Sequence, residues 1–194
     1  METLNTMNSV QTPKATRIWP IAGNFMPDFT LPSTKGQPIP TSGYHDCNQE
    51  RGRRSLILVF VGDRAAEYMV DPSRSSSSSL LLDLARRYTE IVSESAQVLV
   101  VVRGTLEEAM QLQRHDNLPF PVLADEDGQV HRDYGATTRD RRAASEAVFV
   151  AGRYGKIYLS SRASDGPPLP TVNGILGSLD FIESRCPECG REEL

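Results

Sequence analysis

Two uninterrupted apolar segments constrain the fold most strongly. The first is SLILVFVG at 55–62, and the second is QVLVVVR at 97–103. A strand with one solvated face alternates apolar and polar residues, whereas these runs are apolar at nearly every position and rich in branched side chains. They therefore predict two strands that are covered on both faces, at 55–61 and 97–102, in the centre of a sheet.

Helical and strand patterns alternate around these two runs. Short apolar runs on both sides of Lys35-Gly36 predict a β-hairpin, and a second hairpin is predicted around Gly152 to Gly155. Apolar spacing predicts a helix over LLLDLARRYTEIV, another that follows Thr105 as its N-cap, and a last one over TVNGILGSLDFIES, while PSRSSSSSL predicts a loop that ends at a helix N-cap. The order is hairpin, strand, helix, strand, helix, strand, strand, strand, helix. It predicts an α/β sandwich with a parallel core and an antiparallel edge.

The chain divides into one domain and two tails. Its 194 residues are enough for one substantial core. Residues 1–22 are polar and lack periodicity, which predicts a flexible N-terminal arm. We expect the α/β domain over residues 23–184 and a short C-terminal tail over residues 185–194.

Composition and charge exclude several classes of partner. Lys and Arg number 21 against 25 Asp and Glu, for a net charge of −4, so no basic field attracts nucleic acid or anionic lipid. No apolar run reaches the ~18 residues of a membrane span, and METLNTMNSVQTPK lacks the charged start and apolar core of a secretory signal. These features predict a cytoplasmic protein. Its three cysteines are then expected to be free thiols or a small site rather than a disulfide framework.

Five segments in sequence order carry a resemblance to a known family. They are PDFTLPSTKGQPIP, LILVFVG, LARRYTEI, LPFPVLADEDGQVHRDYG and VFVAGRYGKI. Together they resemble peroxiredoxins of the alkyl hydroperoxide reductase and thiol-specific antioxidant (AhpC/TSA) group, over roughly residues 23–184. The resemblance implies a thioredoxin-like fold of the peroxiredoxin type, with a central mixed sheet, flanking helices and an N-terminal β-hairpin.

The catalytic segment of that family is altered in this chain. In the family, the strand resembling LILVFVG leads into P-x-x-x-T-x-x-C, whose cysteine attacks peroxide as a thiolate at a helix N-terminus, aided by a distant arginine. Here GDRAAEYM follows, so that Gly62 stands for the proline, Ala66 for the threonine and Met69 for the cysteine, and no cysteine occurs from Asn48 to Arg185. Glu146 takes the place of the arginine, although Arg141 and Arg142 lie nearby in the sequence. The resemblance therefore implies the fold and excludes peroxide chemistry at the usual place.

Other polar residues in the body have ordinary structural explanations. Cys47 lies in the polar loop YHDCNQERGRR beside His45 and Asp46; an activated thiol or a metal ligand is conceivable there, but an inert loop cysteine is the commoner case. His115 and His131 have charged neighbours in the sequence and are predicted to be solvated surface histidines. The run from Asp125 to Gly128 lacks the remaining oxygen ligands of a calcium loop and predicts a β-turn.

The tail sequence Cys186-Pro187-Glu188-Cys189-Gly190 is the most specific candidate site. Two cysteines at this spacing can close a short disulfide, which makes Cys186 and Cys189 a candidate redox dithiol. The same spacing lets both sulfurs bind one metal, but a four-thiolate zinc site needs a second pair, which only another chain or a partner can supply. An inert tail is the third interpretation.

Two functional hypotheses follow from these features. The first is a divergent thiol-dependent antioxidant or disulfide oxidoreductase that uses Cys186 and Cys189 and needs no cofactor, with a thiol reductant or a disulfide protein as its partner. The second is a non-catalytic binding or assembly module, in which the tail forms a zinc site between the subunits of a homodimer.

Overall fold

The computed structural model describes residues 19–42, 54–63 and 76–185, except for the side chains of residues 76–78. The hairpin strands form a separate two-stranded sheet, and the other strands form one sheet of five. In chain order the strands are β1 (Thr30–Leu31), β2 (Ile39–Pro40), β3 (Ser55–Val61), β4 (Ala96–Val102), β5 (Val122–Ala124), β6 (Ala147–Ala151) and β7 (Ile157–Arg162). The five-stranded sheet has the order β5-β4-β3-β6-β7. Both predicted central strands are confirmed, since β3 lies in the middle and β4 is flanked on both sides.

Strand directions also follow the prediction. β3, β4 and β5 pair in parallel, whereas β6 pairs antiparallel with β3 and β7 antiparallel with β6. Every residue of β3 is buried, because its alternating side chains enter two separate cores. We call these cores the helical face and the hairpin face; β3 contributes Ile57, Val59 and Val61 to the helical face and Leu56, Leu58 and Phe60 to the hairpin face.

Most of the helices cover the helical face of the sheet. In the described part of the chain they are α1 (Ser76–Arg86), α2 (Tyr88–Ser93), α3 (Leu106–His115), α4 (Gln129–Tyr134) and α5 (Val172–Ser184). Thr105 caps α3 as predicted: its hydroxyl accepts a hydrogen bond from Glu108 N at 3.3 Å, and the Glu108 carboxylate accepts one from Thr105 N at 2.7 Å. None of the helices among these residues has the length and apolar character needed to cross a membrane.

The helix predicted over residues 80–92 is in fact two helices. The chain leaves helical geometry at Arg87, with φ −103° and ψ 17°, and the Arg87 guanidinium binds Glu90 and Asn173. The break escapes the sequence pattern because Leu84 and Ile91, on either side of it, keep helical spacing and are both fully buried. The expected serine-rich loop also ends earlier than predicted, since α1 already begins at Ser76.

The hairpin face is covered by the N-terminal part of the domain and by α4. β1 and β2 pair antiparallel around Gly36, whose φ of +88° favours glycine and whose N–H donates to Ser33 O at 3.1 Å, so the predicted hairpin is confirmed. Residues 1–18 of the expected arm lie outside the described residues. Pro20 is buried against the body, where its carbonyl accepts hydrogen bonds from Arg162 Nη2 at 2.5 Å and Ser160 Oγ at 3.3 Å.

The prediction for His131 was wrong. His115 is exposed as expected, but His131 is fully buried on α4, a helix that the sequence pattern did not reveal. Its Nδ1 donates to Asp125 Oδ2 at 2.7 Å, and its ring lies edge-on to Phe60 with 5.0 Å between the ring centroids. The misleading charged neighbours, Arg132 and Asp133, are only partly buried on the same short helix.

Asp125 explains why a histidine can be buried here. The predicted β-turn is present, because Gly128 N donates to Asp125 O at 3.0 Å. The Asp125 carboxylate also accepts hydrogen bonds from Val130 N at 3.2 Å and His131 N at 2.8 Å, so it satisfies the start of α4 and the imidazole together. Burial alone would raise the pKa of Asp125, but these hydrogen bonds and the His131 side chain hold that pKa below its usual value.

Replacement of Phe149 by alanine tests the packing of the hairpin face. Phe149 is fully buried, and its ring centroid lies 5.8 Å from that of Phe60 and 5.1 Å from that of Tyr134. We expect Phe149→Ala to lower the free energy of unfolding by about 3–5 kcal/mol, because the cavity left behind cannot fully collapse. Phe181→Ala, at a side chain that is 46% exposed, is the matched control and should cost about 1 kcal/mol. Equal losses in urea denaturation would contradict this packing.

Replacement of Asp125 by asparagine tests the buried pair through its pH dependence. Because the folded-state pKa of Asp125 lies below the unfolded value of about 3.9, its carboxylate stabilises the fold above that pH and loses the contribution as the pH falls through the folded value. Asp125→Asn should therefore cost about 2–3 kcal/mol at neutral pH. The gap from wild type should close as the pH falls below about 4. Urea denaturation from neutral pH to below about 4 measures this difference, with the exposed Asp180→Asn variant as control. A difference in unfolding free energy that stayed constant over this pH range would contradict the Asp125–His131 pair.

Candidate functional site

The chain leaves β3 through Gly62, which the sequence resemblance predicts to be the first position of the altered family site. A Cβ atom at Gly62 would lie 3.3 Å from Ala144 O and 3.7 Å from Glu146 Cγ. Gly62 and Glu146 are therefore neighbours, and their roles in the family's site stay predictions from the sequence. The segment before β6 approaches β3 so closely that a larger residue at position 62 would press on the Ala144 carbonyl.

Asp63 fastens the end of β3 to the same segment. Its Oδ2 accepts a hydrogen bond from Ala144 N at 2.9 Å and lies 3.4 Å from Arg103 Nη1. Arg103 Nη1 also donates to Arg142 O at 2.8 Å. Because the Asp63 side chain is 42% exposed, this ion pair adds at most about 1 kcal/mol. Its main effect is to hold the end of β3 against residues 142–144.

Two carboxylate side chains and one guanidinium lie around the end of β3. Asp63 pairs with Arg103, and Glu146 Cγ would lie 3.7 Å from a Cβ atom at Gly62. Arg103, the guanidinium that contacts this end, is already bound to Asp63 and to a carbonyl. Arg141 lies instead over the ring of Trp19, with 5.0 Å from its Cζ to the ring centroid.

The other two positions of the altered site, Ala66 and Met69, lie outside the described residues. The substitution of threonine and cysteine at these positions therefore remains a prediction from the sequence.

The buried His131 lies next to the end of β3, with its Nε2 3.4 Å from Val61 O. Sequence reasoning missed this residue, although Val130, His131 and Tyr134 have the one-face spacing of a short helix.

The three cysteines, Cys47, Cys186 and Cys189, also lie outside the described residues, but the element that leads into the tail is well defined. α5 ends at Ser184 with Arg185 as its C-cap, so the tail cysteines directly follow its C-terminus. Glu183 accepts hydrogen bonds from Arg153 Nη2 at 2.9 and 3.2 Å. Arg153 follows the end of β6, and at that end Ala151 pairs with Leu56 of β3. α5 therefore stops at the end of the sheet at which β3 begins.

Gly62 and Glu146 lie at the opposite end of the same strand. Phe60, near the end of β3, pairs with Ala147 next to Glu146. A seven-residue strand spans about 20 Å, which separates Gly62 from the end of the sheet where α5 stops. The end of α5 and the start of β3 therefore lie at one end of the sheet, and Gly62 and Glu146 lie at the other.

Comparison with solved structures places this arrangement among peroxiredoxins. The peroxidoxin BcpB of Mycobacterium tuberculosis superposes with a TM-score of 0.66 at 15% identity, covering 84% of this chain and 98% of that one. The reduced 2-Cys peroxiredoxin of Plasmodium vivax gives 0.65 at 14% identity, with coverage of 84% and 82%. Peroxiredoxin Q of Xanthomonas campestris gives 0.60 at 13% identity, with coverage of 81% and 90%. Such identities establish a shared fold rather than a shared activity.

Sequence comparisons identify the family. No curated protein matches the chain. The model of the AhpC/TSA family matches residues 22–160, a span that includes β1 to β6 and most of β7. By this match, and with the peroxiredoxin form of the thioredoxin-like fold already established above, the chain belongs to the AhpC/TSA family.

Proposed function

We propose that this protein is a cytoplasmic, divergent peroxiredoxin-family thiol–disulfide oxidoreductase that works through Cys186 and Cys189 in the tail of residues 185–194. The observation that carries the proposal is the separation of the two ends of β3. Gly62 and Glu146, which the sequence resemblance assigns to the family's usual site, lie at one end of the strand, whereas α5, which precedes the tail in the sequence, stops at the opposite end. A dithiol there acts independently of the altered site.

The end of β3 is unsuited to peroxide reduction because it has no thiol. The sequence contains no cysteine from residue 48 to residue 185, so no thiol follows β3 before the tail. Arg103, whose guanidinium could favour a thiolate at this end, is bound to Asp63 and to Arg142 O.

The proposed reaction is a reversible exchange with a disulfide-bearing partner. The Cys186 thiolate attacks one sulfur of the partner's disulfide, which forms a mixed disulfide and releases the other sulfur as a thiolate. Cys189, after losing its proton, then attacks the Cys186 sulfur. A Cys186–Cys189 disulfide forms, and the partner leaves with two thiols. The partner gains two electrons and two protons. A thiol reductant later supplies two electrons and two protons to the protein, becomes a disulfide itself and restores the two tail thiols.

Electrostatics at the end of α5 favour exchange over rapid peroxide attack. Cys186 follows the negative end of the helix dipole, which disfavours a thiolate. Arg185 offsets this effect only in part, because its guanidinium lies over the Phe181 ring, with 4.5 Å from Cζ to the ring centroid. Slow, reversible dithiol chemistry is what these surroundings support.

A second candidate is a non-catalytic assembly module with a zinc site between two subunits. The observation that favours it is the pair of closely spaced cysteines in the tail. Elsewhere, the described residues contain no group of three or more His, Cys, Asp or Glu side chains able to hold a metal. Cys186 and Cys189 are two of the four thiolates of a closed zinc site, so a second copy of the chain would have to supply the other pair.

Peroxide consumption distinguishes tail chemistry from chemistry at the end of β3. With a thiol reductant present, we expect slow consumption that is abolished in the Cys186→Ser/Cys189→Ser variant. Glu146→Gln should leave the rate unchanged, because Glu146 lies at the other end of the sheet. Rapid turnover that persists without the tail cysteines would show that the proposal has the wrong site.

Thiol counting after treatment with oxidised glutathione tests the dithiol directly. Wild-type protein and the control Cys47→Ser should each lose two titratable thiols, and the peptide containing residues 186–189 should lose the mass of two hydrogens. The Cys186→Ser/Cys189→Ser variant should retain its remaining thiol. If wild type keeps all three thiols, the redox function is refuted.

Native mass spectrometry of protein purified without chelator tests the zinc module. A dimer that holds one zinc and dissociates with chelator would establish the assembly function in place of the redox one. A metal-free protein that loses two thiols on mild oxidation would establish the reverse. The double cysteine variant should show neither property.

A further inference from the structure

A polar cavity of about 420 Å³ lies beside the loop that connects α4 to β6. The volume falls within the usual range for small-molecule sites. It is separate from the residues that contact Gly62, and its lining comes from three distant parts of the chain. The lining residues that matter here are Trp19, Thr137, Arg139, Arg141, Arg162 and Asp165.

Arg162 gives the cavity a fixed positive charge. Its side chain is only 8% exposed, and its Nε donates to Tyr134 O at 3.0 Å while Nη2 donates to Pro20 O at 2.5 Å. The guanidinium also lies over the Phe149 ring, with 5.3 Å from Cζ to the ring centroid. Carbonyl groups and an aromatic face orient this cation without neutralising it. Asp165, 3.4 Å from Nη1, is its carboxylate partner.

Two further guanidiniums reach the cavity without a carboxylate partner among the described residues. Arg139 donates through Nε to Ser164 O at a long 3.5 Å, and Arg141 lies over the Trp19 ring. Arg141 has a φ of +60°, a left-handed conformation that costs a side chain roughly 1–2 kcal/mol. Strain of this kind at a cavity wall is typical of functional sites.

Thr137 adds a neutral hydrogen-bond donor. The residue is only 6% exposed and lines the cavity. A threonine hydroxyl can donate one hydrogen bond to an oxygen atom. The Thr137 hydroxyl can thus donate to a molecule in the cavity.

Trp19 forms a wall of the cavity and is held in place by Gly135. A Cβ atom at Gly135 would lie 2.8 Å from Trp19 Cδ2, and Gly135 has a φ of +65°, so only glycine fits under the ring. The ring is close to this glycine and also has the Arg141 guanidinium over it. Trp19 is also the one tryptophan of the chain, and its fluorescence therefore reports on this cavity alone.

We propose that this cavity binds the phosphate group of a small metabolite. Three guanidiniums against the single carboxylate of Asp165 leave two positive charges among the lining residues, which match a phosphate dianion. Guanidinium forks suit tetrahedral oxyanions because they donate pairs of hydrogen bonds to two oxygens. The Thr137 hydroxyl can serve a third oxygen. The site is independent of Cys186 and Cys189 and of the function proposed for them.

Titration with inorganic phosphate, followed by Trp19 fluorescence, tests the proposal on the full chain. At mildly alkaline pH and constant ionic strength, we expect a saturable change at millimolar phosphate and a parallel rise in Tm. Chloride should produce neither effect. A non-saturable response, or an equal response to chloride, would overturn the site.

Two variants and a matched control locate the binding residues. Arg139→Gln and Arg141→Gln should each weaken phosphate binding by about tenfold, the loss of one charge-assisted contact. Arg86→Gln, at a side chain 74% exposed on α1, should bind as wild type does. If all three variants bound phosphate equally weakly, the binding would depend on the general surface charge and not on the cavity, and the proposal would be overturned.

Arg141→Gly separates binding from folding. Glycine relieves the positive φ, so this variant should have a Tm equal to or above that of wild type while its phosphate affinity falls as in Arg141→Gln. A folded variant with unchanged affinity would overturn the role of Arg141. Succinate, tested in parallel, should bind more weakly than phosphate; tighter binding would assign the cavity to dicarboxylates and overturn the phosphate assignment.

Discussion

The burial of β3 on both faces is the constraint on which the rest of the structure depends. Each of its residues is buried, and its backbone pairs with β4 on one side and β6 on the other. A strand enclosed in this way has only its two ends near the surface. Chemistry that involves β3 must therefore occur at one end or the other. The end at Gly62 and the end at Ser55 face different surroundings, and this difference underlies the functional proposal.

The sequence predicted the elements whose pattern is long and continuous. β3 and β4 were found because a strand covered on both faces must be apolar throughout, and α3 was found because Thr105 and Glu108 cap it. α4 was missed because it has six residues and carries charges beside its buried positions. That error made His131 look solvated, since its burial depends on a carboxylate that belongs to the preceding turn.

The candidate site was only partly within reach of sequence reasoning. The resemblance to peroxiredoxins assigns Gly62 and Glu146 to one site, and a Cβ atom at Gly62 would lie 3.7 Å from Glu146 Cγ; their roles stay predictions from the sequence. It could not reveal that Asp63 fastens the strand to Ala144, because that bond joins segments 81 residues apart. The arginine cavity was equally hidden. Its lining ranges from Trp19 to Asp165, and no local spacing marks residues that only tertiary packing brings together.

The loop from Ala136 to Glu146 connects the end of β3 with the arginine cavity. Thr137 and Ala144 form an isolated antiparallel bridge that closes the loop. Residues of this loop contact two different parts of the molecule. On one side, Ala144 and Arg142 O meet Asp63 and Arg103 at the end of β3. On the other side, Arg139 and Arg141 line the cavity. The loop therefore contributes hydrogen bonds to the end of β3 and guanidiniums to the cavity. Its positive charge lies on the side of the cavity, and this distribution is what makes the cavity suited to an anion.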